Sequence, residues 1–235
     1  MMPFEIEVPY RMRPNMRPLG EHEAITYTDN LYNYYIAEKK KNLLPVAYGN
    51  NWNPHLRNKV LTYLRCDNMT DAVFQYQEDF VVWAPDMKDR LSIQVASVCF
   101  PSGWDPIEKV NKSFAEIHEP VADNKLIMSA ADSIAKMITE KGPFVRSVWT
   151  IANTPELNRH PKTKKSWSNE TIDQMYHRCE RQVTVPLNDC ALFFIRTYVV
   201  PLHTVDIDKI KESIQSMTDE ILDYKDLHHV KEMLK

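Results

Sequence analysis

Residues 74–100 read FQYQEDFVVWAPDMKDRLSIQVASVCF, and this stretch decides the fold. FQYQEDFVVWAP and LSIQVASVCF are rich in β-branched and aromatic residues, the charged DMKDR between them reads as a turn, and together they predict a β-hairpin. C-terminal to it, DPIEKVNKSFAEIH (105–118) places Ile107, Val110, Phe114 and Ile117 on one face of a predicted helix, with Asp105 as cap and Pro106 at its first position. Residues 124–141 repeat the pattern with Ile127, Ala131, Ile134 and Ile138 before Gly142 and Pro143 stop it. VRSVWTIA is a third strand and 154–173 a polar loop. HRCERQVTVPL and CALFFIRTYVVPL are the fourth and fifth strands, joined through Asn188 and Asp189. Residues 206–234 read as one helix with Ile207, Ile210, Ile214, Met217 and Ile221 on one face. N-terminal to the hairpin, prolines punctuate the start, and helices are expected over 29–44, capped by Asp29, and over 54–65. Two strands, helices, then three strands predict an α+β fold, an antiparallel sheet with helices on one face in the PAS topology. The expected organisation is a partly helical N-terminal region (1–75), a core domain (76–205) and a C-terminal helix (206–235).

The chain has 235 residues, 43% hydrophobic and 26% charged, which is globular composition. Its apolar runs fall short of the roughly 18 residues a membrane helix needs. Only 4 glycines (Gly20, Gly49, Gly103, Gly142) stand against 15 prolines, where average usage gives about 16 glycines. No GxGxxG or GxxxxGK[ST] loop can be assembled from them, so nucleotide binding through a glycine-rich phosphate loop is excluded. A net charge of -3 gives no bias towards nucleic acid or an anionic membrane. Cys66, Cys99, Cys179 and Cys190 lack CxxC spacing, so zinc and iron-sulfur sites have little support and reduced thiols are expected. The opening MMPFEIEVPYRMRPNM places charges where a secretory signal has an apolar core, and a cytoplasmic protein is expected.

Two segments carry unusual chemistry. In SVCFPSGWDPIEKVNKSFAEIHEPV (97–121), a helical period of about 100 degrees per residue puts His118 on the apolar face with Phe114 and turns Lys109 away. Two readings stand: a core histidine bonded to a backbone carbonyl, or a neutral imidazole ligating iron with its second nitrogen held by a carbonyl or carboxylate. In YHRCERQVTVPLNDCALFFIRTYVVPL (176–202), alternation puts Arg178 and Glu180 on one face and Arg181 on the other, with Arg196 on the facing strand. Here too two readings stand: a cross-strand ion pair on a solvated face, or an arginine holding a cofactor or substrate carboxylate bidentately. Trp149, Asn153, Glu156, His160 and Trp167 belong to a third segment, a loop able to line a pocket or simply to cover surface.

FPSGW, IHEPV, ERQ and FIRTY, in this order, resemble the haem-dependent oxidative N-demethylase family, and the similarity spans roughly residues 11–205. The resemblance implies a PAS-like domain holding haem b and using it as an oxygenase, with His118 as axial iron ligand. It implies Arg181 and Arg196 at the propionates and Trp104 and Phe114 among the cofactor-contacting residues. Glu180 and Arg196 become the catalytic candidates: Glu180 to orient a cation or a water, Arg196 or Lys109 to donate near bound oxygen. Trp104 and Trp149 offer aromatic faces to a protonated amine. The implied partners are a small secondary amine, O2 and a separate flavin/iron-sulfur reductase, with formaldehyde as product and no nucleic acid or membrane. The alternative is a PAS-like haem sensor or binding module. Asn111 stands where the family pattern leads one to expect glycine.

Overall fold

The computed structural model describes residues 5–42, 44–168 and 170–235. Its strands are β1 (Arg17–Pro18), β2 (Ala47–Tyr48), β3 (Asp79–Pro85), β4 (Leu91–Ser97), β5 (Phe144–Ala152), β6 (Tyr176–Pro186) and β7 (Ala191–Pro201). They form one antiparallel sheet in the order β1-β5-β6-β7-β3-β4-β2. The five long strands come from the two predicted hairpins and the strand between them. The N-terminal region contributes the short edges β1 and β2 instead of only packing on the core. The connection from β6 to β7 is the expected tight turn, with Asn188 at φ 71 and the Leu187 amide donating to the Cys190 carbonyl at 2.8 Å.

The helices are α1 (Tyr32–Lys39), α2 (Pro54–Leu64), α3 (Met69–Gln75), α4 (Pro106–Lys109), α5 (Phe114–His118), α6 (Lys125–Ser129), α7 (Ala131–Glu140), α8 (Ile207–Gln215), α9 (Asp219–Lys225) and α10 (His228–Met233). They cover both faces of the sheet. The front face packs Val81, Trp83, Ile93, Ala96 and Ile195 against α4, α5 and α7, through Val110, Phe114, Ile117, Ile134 and Ile138. The back face is divided: α2 and α3 cover Phe80, Val82, Val95, Val183 and Phe194, and α8 to α10 cover Trp149, Ile151 and Cys179. None of these helices is long and apolar enough to cross a membrane among the described residues.

Several sequence expectations on the helices are corrected. The predicted helix over 105–118 is two helices, because Asn111 takes a left-handed φ of 65 and Ser113 starts a new helix through a capping box with Glu116. Ile107, placed on the apolar face by a continuous helix, is 54% exposed. The helix over 124–141 likewise breaks at Ala130. The single C-terminal helix is three, because the Thr218 hydroxyl caps α9 from outside and Asp226 ends it in the left-handed region. Asp29 does not cap α1, whose N-cap position, Leu31, makes no side-chain bond to it. Its carboxylate accepts from the Leu31 amide, from Gln77 and from Arg196. A buried ion pair of 3.2 Å, Lys39 to Asp79, fastens α1 to the start of β3.

Candidate functional site

Register fixes which side chains share the front face. Arg178, Glu180 and Gln182 of β6 stand opposite Thr150, Val148 and Arg146 of β5, and facing residues in an antiparallel pair point the same way. Arg181 stands opposite Arg196 of β7 and leaves on the back face with it. Sequence alternation separates Glu180 from Arg181, and the register separates it from Arg196 as well, so the two catalytic candidates lie on opposite faces.

His118 ends α5 beneath the front face. The His118 Nδ1 lies 2.7 Å from the Phe114 carbonyl one turn earlier in the helix. A carbonyl only accepts, so Nδ1 carries the proton and the lone pair of the neutral ring sits on Nε2. The ring stacks on Phe114 at 4.2 Å. Burial above all pulls its pKa down, the Phe114 hydrogen bond opposes this, and the charges of Arg146 and Lys109 lower it further. The imidazole is thus held neutral and oriented, the state in which histidine ligates a metal. Trp104 and Phe114 pack into the same front-face cluster.

Glu180 is held from two sides. Arg178 Nε donates to the Ser102 hydroxyl oxygen at 2.7 Å, the Ser102 hydroxyl donates to Glu180 Oε1, and Gln182 Nε2 donates to Glu180 Oε2 at 2.8 Å. The rest of the Arg178 guanidinium is spent on the carbonyls of Phe100 and Leu157, each 2.8 Å away, which seats the FPSGW turn against the 156–160 loop. Gly103 sits in that turn at φ 85 with nothing within 4 Å of an added Cβ, so it is there for its conformation and not for room. Arg178 and Glu180, on one face of β6 as expected, are joined only indirectly, through Ser102, and the cross-strand ion pair read from sequence does not form, since Arg196 of the facing strand binds Asp29 instead.

Sequence reasoning missed two cations. Arg146 lies on Glu180's face, and the alternation applied to β6 would have found it in VRSVWTIA. Lys225 ends α9, beyond any sequence pattern, with its Nζ 2.7 Å from the Trp149 carbonyl and over the Tyr10 ring. Burial brings Lys225 down to about 8, with Glu180 opposing and Arg146 reinforcing the shift.

Arg181 and Arg196 are not brought to His118. Arg181 donates to the carbonyls of Ala24 (2.6 Å) and Ile25 (3.1 Å) and stacks over Tyr27. Arg196 binds Asp29 at 2.8 Å and lies 4.2 Å from the Tyr35 ring centroid. Both guanidinium groups clamp residues 24–29 to the back face. Trp149 is also on that side, stacked on His177 beneath α8 to α10. Of the loop residues, His160 meets Asp105 at 3.2 Å and the Trp167 indole donates to the Asp226 carbonyl, so the loop ties α4 to the end of α9.

The fold and site define a PAS-like α+β protein whose front face carries an oriented, neutral histidine, a fixed carboxylate and Arg146, with Lys225 at the edge of β5. Residues 33–235 match the family described as "haem-dependent oxidative N-demethylase, alpha subunit-like", and the chain belongs to that family.

Proposed function

We propose that the front face holds haem b through His118 and that the chain is the oxygen-using subunit of an oxidative N-demethylase. The observation that carries this reading is the His118 Nδ1 bond to the Phe114 carbonyl, which leaves Nε2 with the only free ring lone pair. A single histidine suffices for haem, whose porphyrin supplies the other ligands to iron. The residues fit the group in a second respect: the Arg146 Nε is buried with no hydrogen-bond partner among the described residues, beside a histidine whose titration its charge affects. Haem, when bound, supplies the binding and reductive activation of O2.

The protein's own residues supply the rest. Phe114 stacks on His118 and fixes its ring plane. Glu180, held by Ser102 and Gln182, offers its remaining lone pairs to the ammonium of a protonated secondary amine and so orients the N-methyl group. In balance, a methylamine, O2, two electrons and two protons give the demethylated amine, formaldehyde and water. The electrons come from a separate flavin/iron-sulfur partner.

The test is reconstitution of the purified chain with haem. A Soret band that shifts or disappears in His118→Ala, with the fold intact by circular dichroism, supports the ligand; an identical spectrum in the variant refutes it. Formaldehyde release from dimethylamine with a chemical reductant and O2 supports the enzyme, and its absence from haem-loaded protein favours a sensor or binding module.

A further inference from the structure

Arg146 is the unspent arginine of this sheet. It enters the front face from β5 opposite Gln182, and its Nε has neither solvent nor a hydrogen-bond partner among the described residues. The arginines of β6 and β7 are all engaged: Arg178 by Ser102 and two carbonyls, Arg181 by Ala24 and Ile25, Arg196 by Asp29. Around Arg146 the charged and titratable groups are Glu180, Lys225, His118, Tyr10 and Tyr224. Burial pushes both phenols towards their neutral form. Arg146 on this face and Lys225 at the edge of β5 therefore both draw on the charge of one carboxylate, whose two oxygens already accept hydrogen bonds. A desolvated guanidinium nitrogen without a partner is costly, and the fork of a guanidinium matches a carboxylate bidentately. The same face carries the apolar shelf of Trp104, Phe114 and Ile117. An apolar body ending in an acid would satisfy both.

We propose that Arg146, backed by Lys225, binds a ligand carboxylate, the acidic edge of the haem or, in its place, the acid group of an N-methylated amino acid substrate. The first source rests on the haem reading above; the second does not.

The experiment titrates apoprotein with haem and with haem dimethyl ester, in which both carboxylates are capped. Wild type is expected to bind haem at least about tenfold tighter than the ester, in line with a charge-assisted bidentate pair. Arg146→Gln should lose about that factor for haem and nothing for the ester. Arg146→Lys, which keeps the charge without the fork, should fall between. A parallel arm measures thermal stabilisation of the apoprotein by sarcosine and by dimethylamine. Stabilisation by sarcosine alone, lost in Arg146→Gln, assigns the carboxylate to substrate. Equal binding of haem and ester together with no sarcosine effect overturns the proposal. Failure of every variant to bind haem strikes the reading of the function, while the sarcosine arm still decides the carboxylate. Circular dichroism of Arg146→Gln and Arg146→Lys separates lost binding from lost fold.

Discussion

Glu180 and Arg181 are consecutive in β6 and leave the sheet on opposite faces, one into the Ser102–Gln182 network and the other onto the carbonyls of residues 24 and 25. Arg181 in turn stands directly opposite Arg196, a pairing of like charges that a bare sheet would resist. The N-terminal segment resolves it by giving each guanidinium its own acceptors. These arginines hold the fold together on the back face, away from His118.

Arg196→Ala is therefore expected to destabilise the protein by roughly 2 to 3 kcal/mol, losing a bond to a half-exposed aspartate and an aromatic stack. Haem affinity should stay within about twofold, since the cost falls on the N-terminal clamp and not on the proposed cofactor face. Urea denaturation and a Soret titration measure the two effects. A large loss of haem affinity at unchanged stability would return Arg196 to the cofactor.

Ser102 touches no ligand in the proposed site; it positions Glu180, with Arg178 behind it. Removing its hydroxyl in Ser102→Ala should cost about 1 kcal/mol of stability and lower formaldehyde turnover by roughly 10-fold or more, with little change in haem affinity. Because both residues act through one carboxylate, Ser102→Ala added to Glu180→Gln should lower turnover no further than Glu180→Gln alone. Additive losses in the double variant would mean that Ser102 acts elsewhere.

The strands were legible because period-two alternation survives any error at their ends, and the same alternation correctly placed Arg178 with Glu180 and apart from Arg181. The helices were less so. A continuous phase from Asp105 reaches His118 only if Asn111 is helical, and it is not. His118 still faces the sheet because Ser113 starts α5 afresh, so its orientation is set over five residues and not over fourteen. Arg146 was within reach of the reasoning used for β6. Lys225 was not, since its position depends on α9 being capped by Thr218 and closed by Asp226, which swings the end of the helix back to the edge of β5.

Asn111 does two jobs that substitutions can separate. Its φ of 65 suits glycine or asparagine, and its Oδ1 accepts from the Asn50 amide at 2.7 Å. Asn111→Gly, the residue expected from the family pattern, relieves the backbone and loses the bond, so stability should change by less than about 1 kcal/mol. Asn111→Ala loses the bond and keeps the strain, and should cost roughly 2 kcal/mol. Thermal melts of the two variants give the comparison, and equal melts would dismiss the conformational role.

Acid sensitivity should be traceable to His177. The ring is fully buried on Trp149, and desolvation, with some help from the Lys225 charge, brings its pKa from 6.5 to about 4. Above pH 6.5 both folded and unfolded chains keep it neutral, and its contribution to stability is complete. As the pH falls below that, the unfolded chain takes up a proton that the folded one refuses, and stability drains away until about pH 4. The full loss is about 3 kcal/mol, from about 1.4 kcal/mol for each pH unit of displacement. His118, lowered in the same direction, adds to the slope, whereas Glu78 and Asp79, raised by burial, oppose it. The difference between wild type and His177→Gln isolates the one group. Urea midpoints for the variant should be lower than wild type at pH 7.5 and converge on it by pH 4.5, and parallel curves across that range would place the acid sensitivity elsewhere.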